Sequence, residues 1–246
     1  MERESILPRG TSNQISTIFS WINLIRTAKI WSKEGTCLAT LNGHQAAVWA
    51  ALPIDESTVF TGKPVSLKIT AYFAASADKT IKKWSGHKCI KTIQAHNDVV
   101  RHLVRIPSLG FASCSNDATI RVWTLEGDFI KELVGHTSFI YQLAYLPKTN
   151  ELISCSEDRS IKVWSLDGLS RLLINSVLIV SDGSCKQTIM HPCTSVWCVA
   201  AFENGDIASG SSDGIVRVFT RDETRYAAPE LIAAYDDANA KHAIPK

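Results

Sequence analysis

The chain has 246 residues, 45% of them apolar, and a formal net charge of +2 from basic and acidic residues scattered along its length. This composition is typical of a globular protein with a substantial core, and no Lys/Arg run of the kind that binds nucleic acid is present. Seven cysteines without a compact spacing framework favour reduced thiols over disulfides. No apolar run approaches the roughly 20 residues that span a bilayer, so neither nucleic acid nor a membrane is a predicted partner.

Residues 1–26 match none of the repeats that follow and carry no convincing secretory signal. The first recognisable element is a degraded repeat that ends at Thr27-Ala-Lys-Ile-Trp31. We therefore expect the folded domain to begin near residue 27.

One phrase recurs four times in the rest of the chain. It begins with an Asp and ends six residues later with an aromatic residue: Asp78 and Trp84, Asp117 and Trp123, Asp158 and Trp164, Asp213 and Phe219. Apolar and polar residues alternate between these two marks, as they do in a half-buried strand. Each phrase therefore predicts one β-strand that follows a turn at the Asp.

A histidine precedes three of these phrases in a Gly-His or Ala-His pair, at His44, His96 and His136. His, then Asp, then Trp, with successive aromatics about 40 residues apart, is typical of four-stranded propeller blades. The copy that ends at Trp123 predicts strands at 99–106, 110–115, 118–123 and 129–134. The next copy predicts strands at 140–146, 151–156, 160–165 and 184–189. The predicted fold class is all-β, a WD-repeat β-propeller.

The repeats fill residues 27–226 and give about four full blades plus part of another, so we expect an incomplete propeller. An open ring of this kind leaves strand edges unpaired. Surplus segments near 62–74 and 169–183 lengthen two repeats. They are either loop insertions or segments foreign to the blade, such as retained intron sequence. Residues 227–246 are predicted to be the start of a linker.

Some phrases are more particular than the general repeat, among them His96-Asn-Asp-Val-Val-Arg101 and Ser-Cys-Ser-Asn116-Asp117. They resemble the propeller of the phospholipase A-2-activating protein family, which includes fungal ubiquitin-homeostasis proteins. The resemblance implies a seven-bladed ring that binds ubiquitin and serves ubiquitin recycling and ubiquitin-dependent proteasomal turnover in the cytoplasm and nucleus. It also implies docking of the valosin-containing AAA ATPase, through later domains that we do not expect in this chain.

The repeated His and Asp could be mistaken for catalytic dyads, but one reaction centre does not need several copies. A buried histidine must be hydrogen-bonded, and a Ser of the second strand and the indole N–H are suitable partners. The residues predicted to form this structural network are His44, Asp78, Trp84, His96, Asp117, Trp123, His136, Asp158, Trp164 and Asp213.

No catalytic residue, metal or cofactor is predicted, and the chain is not expected to be an enzyme. Nucleophile-elbow and phosphate-loop motifs are missing from the sequence. Cys114 and Cys155 occupy matched places and are interpreted as small core residues, whereas Cys193 and Cys198 lack the C-x-x-C spacing of a zinc site. Activation of a phospholipase, or lipid chemistry, is an alternative of another class without a supporting motif.

Most candidate binding residues lie at or just before the start of an inner strand, just past the repeated His, where a propeller opens on one rim, whereas Asn116 and Glu157 stand just before a turn Asp and are expected to flank the same rim. Aromatic residues and Arg at such places are the types that dominate binding hot spots. The predicted partner-binding residues are Trp49, Arg101, Phe139, Tyr141, Trp197, Asn116 and Glu157. Two alternatives stay open: Tyr141 and Trp197 pack between blades, or the chain is a generic WD-repeat scaffold for other proteins.

Overall fold

A computed structural model describes residues 26–31, 37–54, 71–107, 109–167 and 184–241. Within these ranges the chain forms antiparallel β-sheets, each with its strands in chain order, and one C-terminal α-helix. The sheets contact one another in succession, and those described do not close into a ring. The predicted fold class, an incomplete all-β propeller, is confirmed.

The sheets consist of an N-terminal hairpin and four blades. The hairpin contains β1 (Thr27–Trp31) and β2 (Cys37–Asn42). Blade 1 contains β3 (Val48–Ile54), β4 (Ala71–Ser76), β5 (Thr80–Ser85) and β6 (Lys88–Gln94). Blade 2 contains β7 (Val100–Ile106), β8 (Gly110–Ser115), β9 (Thr119–Trp123) and β10 (Phe129–Val134). Blade 3 contains β11 (Ile140–Leu146), β12 (Glu151–Ser156), β13 (Ser160–Ser165) and β14 (Cys185–Met190). Blade 4 contains β15 (Val196–Ala201), β16 (Ile207–Ser211) and β17 (Val216–Phe219).

The eight strands predicted for blades 2 and 3 begin and end within one residue of the observed strands. Burial follows the position of a strand within its blade. All six residues are buried in each of the second strands β8 and β12, whereas the outer strand β10 is largely exposed or half-buried. Second strands are covered on both faces by neighbouring blades, which is why they lack the alternation of a half-buried strand.

The core consists of apolar layers between successive blades rather than one central cluster. Phe73 of blade 1 contacts Phe111 of blade 2, with ring centroids 4.2 Å apart. Ile153 and Cys155 of blade 3 pack with Val196 of blade 4 in the same way. Burying one large side chain contributes roughly 1.5–3 kcal/mol, so each blade depends on its neighbours for stability.

The repeated Asp organises the turn between the second and third strands. In blade 2, Asp117 Oδ1 accepts the Thr119 N–H at 3.0 Å, and the intervening Ala118 has a positive φ of 63°. The matching residues Lys79 and Arg159 also have positive φ, and in blade 4 the position is a glycine, Gly214. A short polar side chain that bonds the backbone two residues on stabilises such a turn, which explains why the phrase begins with Asp.

Only the end of one predicted surplus segment lies among the described residues. Residues 62–70 and 169–183 lie outside the described residues. The end of the first surplus stretch, 71–74, is not surplus, because it begins strand β4, where Phe73 and Ala74 are buried. Residues 71–74 are apolar because they belong to a buried second strand, and not because they are an insertion.

A helix, α1 (Pro229–Lys241), lies within the stretch for which the sequence predicts a linker. Proline at the first helical position, an acidic first turn and a basic last turn all favour a helix here. The Tyr235 hydroxyl and the Asn239 amide both donate to the carbonyl oxygen of Met190, at the end of β14. The Tyr235 ring also meets His191 and Phe219 edge-on, so α1 is docked against blades 3 and 4.

Candidate functional site

Blades 2 and 3 contain the same hydrogen-bonded chain of four side chains. In blade 2, the Trp123 indole donates to Ser113 Oγ at 2.9 Å, Ser113 lies 2.8 Å from His96 Nε2, and His96 Nδ1 lies 3.0 Å from Asp117 Oδ2. A single proton assignment satisfies every atom, with Ser113 donating to Nε2 and Nδ1–H donating to Asp117. In blade 3, Trp164, Ser154, His136 and Asp158 repeat the arrangement at 2.7–2.9 Å.

The hydrogen bonds to each Asp keep it ionised. Burial acts to raise the pKa of Asp117, but the His96 and Thr119 side chains outweigh burial and lower this pKa below its usual range. The equivalent bonds to Asp78, from Thr80, Gln45 and His44, lower its pKa to about 2 despite burial. The histidines are buried and the set recurs from blade to blade, so its role is structural.

Blade 1 carries the same network with one member missing. His44 Nδ1 lies 2.9 Å from Asp78 Oδ2, as in the other blades. Ala74, however, stands opposite Lys82 at the register position where blades 2 and 3 have Ser. As a result, the buried atoms His44 Nε2 and Trp84 Nε1 have no hydrogen-bond partner among the described residues.

Blade 4 departs from the network in a different way. His191 Nε2 still bonds Ser209 Oγ at 2.9 Å, but Asp213 is held by Arg217 at 2.7 Å and by Ser211. The buried His191 Nδ1 therefore has no hydrogen-bond partner in the described part of the chain. Phe219 replaces the tryptophan, and its ring lies edge-on to His191 at 5.3 Å.

The candidate rim residues occupy one special backbone position in all four blades. Trp49, Arg101, Tyr141 and Trp197 are each the second residue of an inner strand, directly after a fully buried valine or isoleucine. Pairing with the second strand skips this residue every time, so each of the four stands at a β-bulge. A bulge redirects a side chain out of the regular alternation, and the repeated phrases did not predict these bulges.

The bulges bring the four side chains into one continuous row, called here the rim row. The Arg101 guanidinium carbon lies 4.5 Å from the Trp49 ring centroid and 5.8 Å from that of Tyr141. Tyr141 in turn stacks on Trp197, with centroids 4.9 Å apart and an interplanar angle of 23°. Trp197 remains 53% exposed, and the other three are partly exposed. Tyr141 and Trp197 thus contact each other between blades and also present surface to solvent.

The other three predicted residues flank the rim row. Asn116 Oδ1 accepts a 2.8 Å hydrogen bond from Arg101 Nε, and Glu157 Oε2 accepts one of 2.7 Å from Ser138. Burial, followed by the charge of Glu157, raises the pKa of the Tyr141 hydroxyl. Phe139 is 37% exposed, and its carbonyl accepts the Glu157 N–H. All seven predicted residues therefore lie at one end of blades 1–4.

The rim row offers contact surface and hydrogen bonds rather than reactive groups. No set of three or more His, Cys, Asp or Glu side chains that could hold a metal ion occurs in the described ranges. No helix in the described part of the chain is long and apolar enough to cross a membrane.

Comparison with known proteins identifies the class first. The family model for the WD domain, G-beta repeat, matches residues 35–85, 87–124, 127–165 and 183–220. The chain therefore belongs to this family of repeat proteins. The fold and the family are those of a non-catalytic scaffold.

The more particular similarity is to ubiquitin-homeostasis WD-repeat proteins. The chain is 43% identical over 160 residues to "Ubiquitin homeostasis protein lub1" of Schizosaccharomyces pombe, which covers 65% of this chain and 20% of the relative. It is 34% identical over 196 residues to "Ubiquitin fusion degradation protein 3 homolog" of Caenorhabditis elegans, covering 79% and 20%. The solved WD40 β-propeller domain of Doa1 matches with a TM-score of 0.67 and 39% identity, covering 82% of this chain and 60% of that one.

The chain thus spans about a fifth of the length of these two curated relatives. The family resemblance predicted from the sequence is confirmed.

Proposed function

We propose that the chain is a protein-interaction module that binds ubiquitin through the rim row. One observation carries the proposal: bulges in four successive blades place Trp49, Arg101, Tyr141 and Trp197 in contact on a single, partly exposed surface. The similarity to ubiquitin-homeostasis proteins supports ubiquitin as the partner.

The chemistry of the rim row suits a small apolar patch on a folded partner. Trp, Tyr and Arg are enriched in hot spots, and Trp and Tyr offer large contact area at modest cost in side-chain entropy. The contacts of the rim row are already formed in the unbound chain, since Tyr141 stacks on Trp197, and Arg101 contacts Trp49 and donates a hydrogen bond to Asn116. Such preorganisation reduces the ordering cost of association.

The direct test is titration of labelled ubiquitin with the whole chain and with Trp49→Ala, Tyr141→Ala and Trp197→Ala. Truncating a hot-spot side chain typically costs about 2 kcal/mol or more, so affinity is expected to fall roughly 30-fold in at least one variant. Phe202→Ala is the matched control, because Phe202 is 46% exposed but directly follows the end of β15 that is far from Trp197. Unchanged affinity in all three rim variants would refute the assignment.

A general scaffold for other proteins is the second candidate, favoured by the fact that the family model describes the WD repeat and no particular partner. The two candidates separate in one experiment. If ubiquitin does not bind but a pull-down with the wild-type chain captures another protein that Trp197→Ala releases, the rim row serves a different partner.

We further propose that the protein serves ubiquitin recycling and proteasomal turnover, as the family resemblance implies, and that it is located in the cytoplasm and nucleus. Docking on the AAA ATPase is assigned to other domains, so this chain alone is expected not to bind the ATPase. A pull-down of the purified ATPase with this chain tests that expectation.

A further inference from the structure

The guanidinium of Arg101 has three neighbouring side chains. Its central carbon lies 4.5 Å from the Trp49 ring centroid and 5.8 Å from the Tyr141 ring centroid. One edge is used by the Nε–H, which donates to Asn116 Oδ1 at 2.8 Å. The two rings make cation–π contacts with the guanidinium, and its remaining N–H groups point outward in its plane, where they can form further hydrogen bonds.

The terminal nitrogens of Arg101 differ from those of other arginines in the chain. Over residues 26–31, 37–54, 71–107, 109–167 and 184–241, Arg101 Nη1 and Nη2 make no hydrogen bond or ion pair. Five other arginines have acceptors for their terminal nitrogens: Arg105 on Gly110 O, Arg121 on Glu132, Arg217 on Asp213, Arg221 on Glu151 and Arg225 on Asp206. Arg101 is thus held in place with its Nη1/Nη2 edge unused.

The nearby carboxylates do not fill this role. Asp117 is engaged by His96, Asn97 and Thr119, and Glu157 accepts a hydrogen bond from Ser138. The fork formed by Nη1 and Nη2 matches the two oxygens of a carboxylate, and such paired bonds are about twice as strong as neutral ones. A fixed, partly desolvated fork without an acceptor is therefore a built receptor for one carboxylate.

We infer that Arg101 is the specificity residue of the rim row and receives an acidic side chain from the partner. The inference rests on the proposed function, since it names what the partner must present there. Aromatic surface lies on both sides of Arg101, so the carboxylate must project from a folded surface that is apolar on both sides. A chain-terminal carboxylate does not meet this requirement.

The test measures the affinity of ubiquitin for the wild-type chain and for the variants Arg101→Met and Arg101→Lys. Arg101→Met keeps the length of the side chain but loses its charge and its hydrogen-bond donors. Arg101→Lys keeps the charge but loses the paired donors Nη1 and Nη2. Arg101→Met is expected to weaken binding at least tenfold, and Arg101→Lys to weaken it by less. Lys131→Met, which removes the same charge from the outer strand β10, is expected to have no effect. Melting temperatures close to that of the wild type show that the variants fold.

Ubiquitin variants with single Asp→Asn or Glu→Gln changes identify the acidic group. One of these ubiquitin variants should bind the wild-type chain at least tenfold more weakly than unmodified ubiquitin does. The same variant should bind the Arg101→Met chain no more weakly than unmodified ubiquitin does. Equal ubiquitin binding by wild type and Arg101→Met overturns the inference while the proposed function stands. A loss that follows only from removing the ubiquitin C-terminus also overturns it.

If ubiquitin does not bind the wild-type chain, the proposed function fails, and acetate decides the inference separately. In an NMR titration of the 15N-labelled chain, a saturable shift of the Trp49 indole signal with acetate but not chloride, abolished in Arg101→Met, supports a carboxylate receptor. Absence of that shift overturns it.

Discussion

At the residue scale, a single hydroxyl distinguishes blade 1 from blades 2 and 3. Ser113 and Ser154 each accept an indole N–H and contact a histidine Nε2, and this links Trp, His and Asp into one network. Ala74 occupies the same position in blade 1 and leaves two buried polar atoms without partners. Buried polar atoms without a hydrogen-bond partner cost free energy. Blade 1 is therefore expected to be less stable than it would be with a serine at position 74.

Ala74→Ser is therefore expected to stabilise the protein. The new hydroxyl would accept from Trp84 Nε1 and donate to His44 Nε2, adding about 1–2 kcal/mol to the free energy of unfolding. Urea unfolding measures the gain. Ala75→Ser is the control: Ala75 is fully buried in the apolar layer against blade 2, where a hydroxyl is expected to destabilise. The prediction is contradicted if the free energy of unfolding of Ala74→Ser is no higher than that of the wild type.

At the scale of the element, blade 4 shows how one ion pair alters the repeated network. Arg217 takes the place of the lysine or arginine of the other third strands but bonds Asp213, and it is the main reason that the pKa of Asp213 lies below its usual range. His191 thereby loses the carboxylate that stabilises the other network histidines. Burial, with a smaller contribution from the charge of Arg217, lowers the pKa of His191 to about 4.

This lowered pKa predicts how stability depends on pH. The unfolded chain protonates His191 near its ordinary value of 6.5, whereas the folded chain does so only near 4. Between these values the unfolded state binds more protons, so stability falls as the pH is lowered, by roughly 2 kcal/mol from about pH 7 to about pH 4.5. His191→Gln, whose amide can still reach Ser209, is expected to reduce this slope in urea unfolding.

Some slope should persist in His191→Gln, because burial also lowers the pKa values of His44 and His102. His87→Gln serves as the control, since His87 is an exposed turn residue. A slope in His191→Gln equal to that of the wild type would show that His191 is not responsible.

At the scale of the whole molecule, the layers between blades are its stabilising interfaces, and the last layer is open. Leu146, Ile161 and Val163 of blade 3 are fully buried against blade 4. Their counterparts in blade 4, Phe202, Val216 and Val218, are 46%, 72% and 61% exposed. No further sheet covers them among the described residues, so this face and the free edge of β17 are where association with other strands is expected.

Thiol reactivity reports whether the closed layers are intact. Cys114 and Cys155 are buried between blades, and burial raises the pKa of both thiols, whereas Cys198 is exposed on blade 4. Because the thiolate is the reactive form, a thiol reagent is expected to label Cys198 quickly in the native protein, and Cys114 and Cys155 only on unfolding. Mass mapping of labelled peptides across a urea series measures this. Equal labelling rates in the native protein would contradict the layered core.

Most of the fold was predictable, because the repeated phrase acts locally. Asp117 fixes a turn through its own backbone neighbours, and the aromatic six residues later ends the strand, so β7–β14 could be placed within one residue. The blade 1 stretch 71–74 was misjudged because an apolar run gives no sign of whether it is an insertion or a buried strand. Helix α1 was not predicted although local signals at both its ends favour it, and only its docking, through Tyr235 and the distant Met190 carbonyl, depends on the tertiary structure.

The sequence by itself determined the class of protein, the strands and the candidate rim residues, since these follow from periodic marks and local turn chemistry. Only the tertiary structure decided that those residues form one row and that the Arg101 fork is left without an acceptor. The physical reason is that bulges redirect each side chain and that stacked blades bring together residues far apart in sequence. The contacts between blades are not encoded in a single repeat.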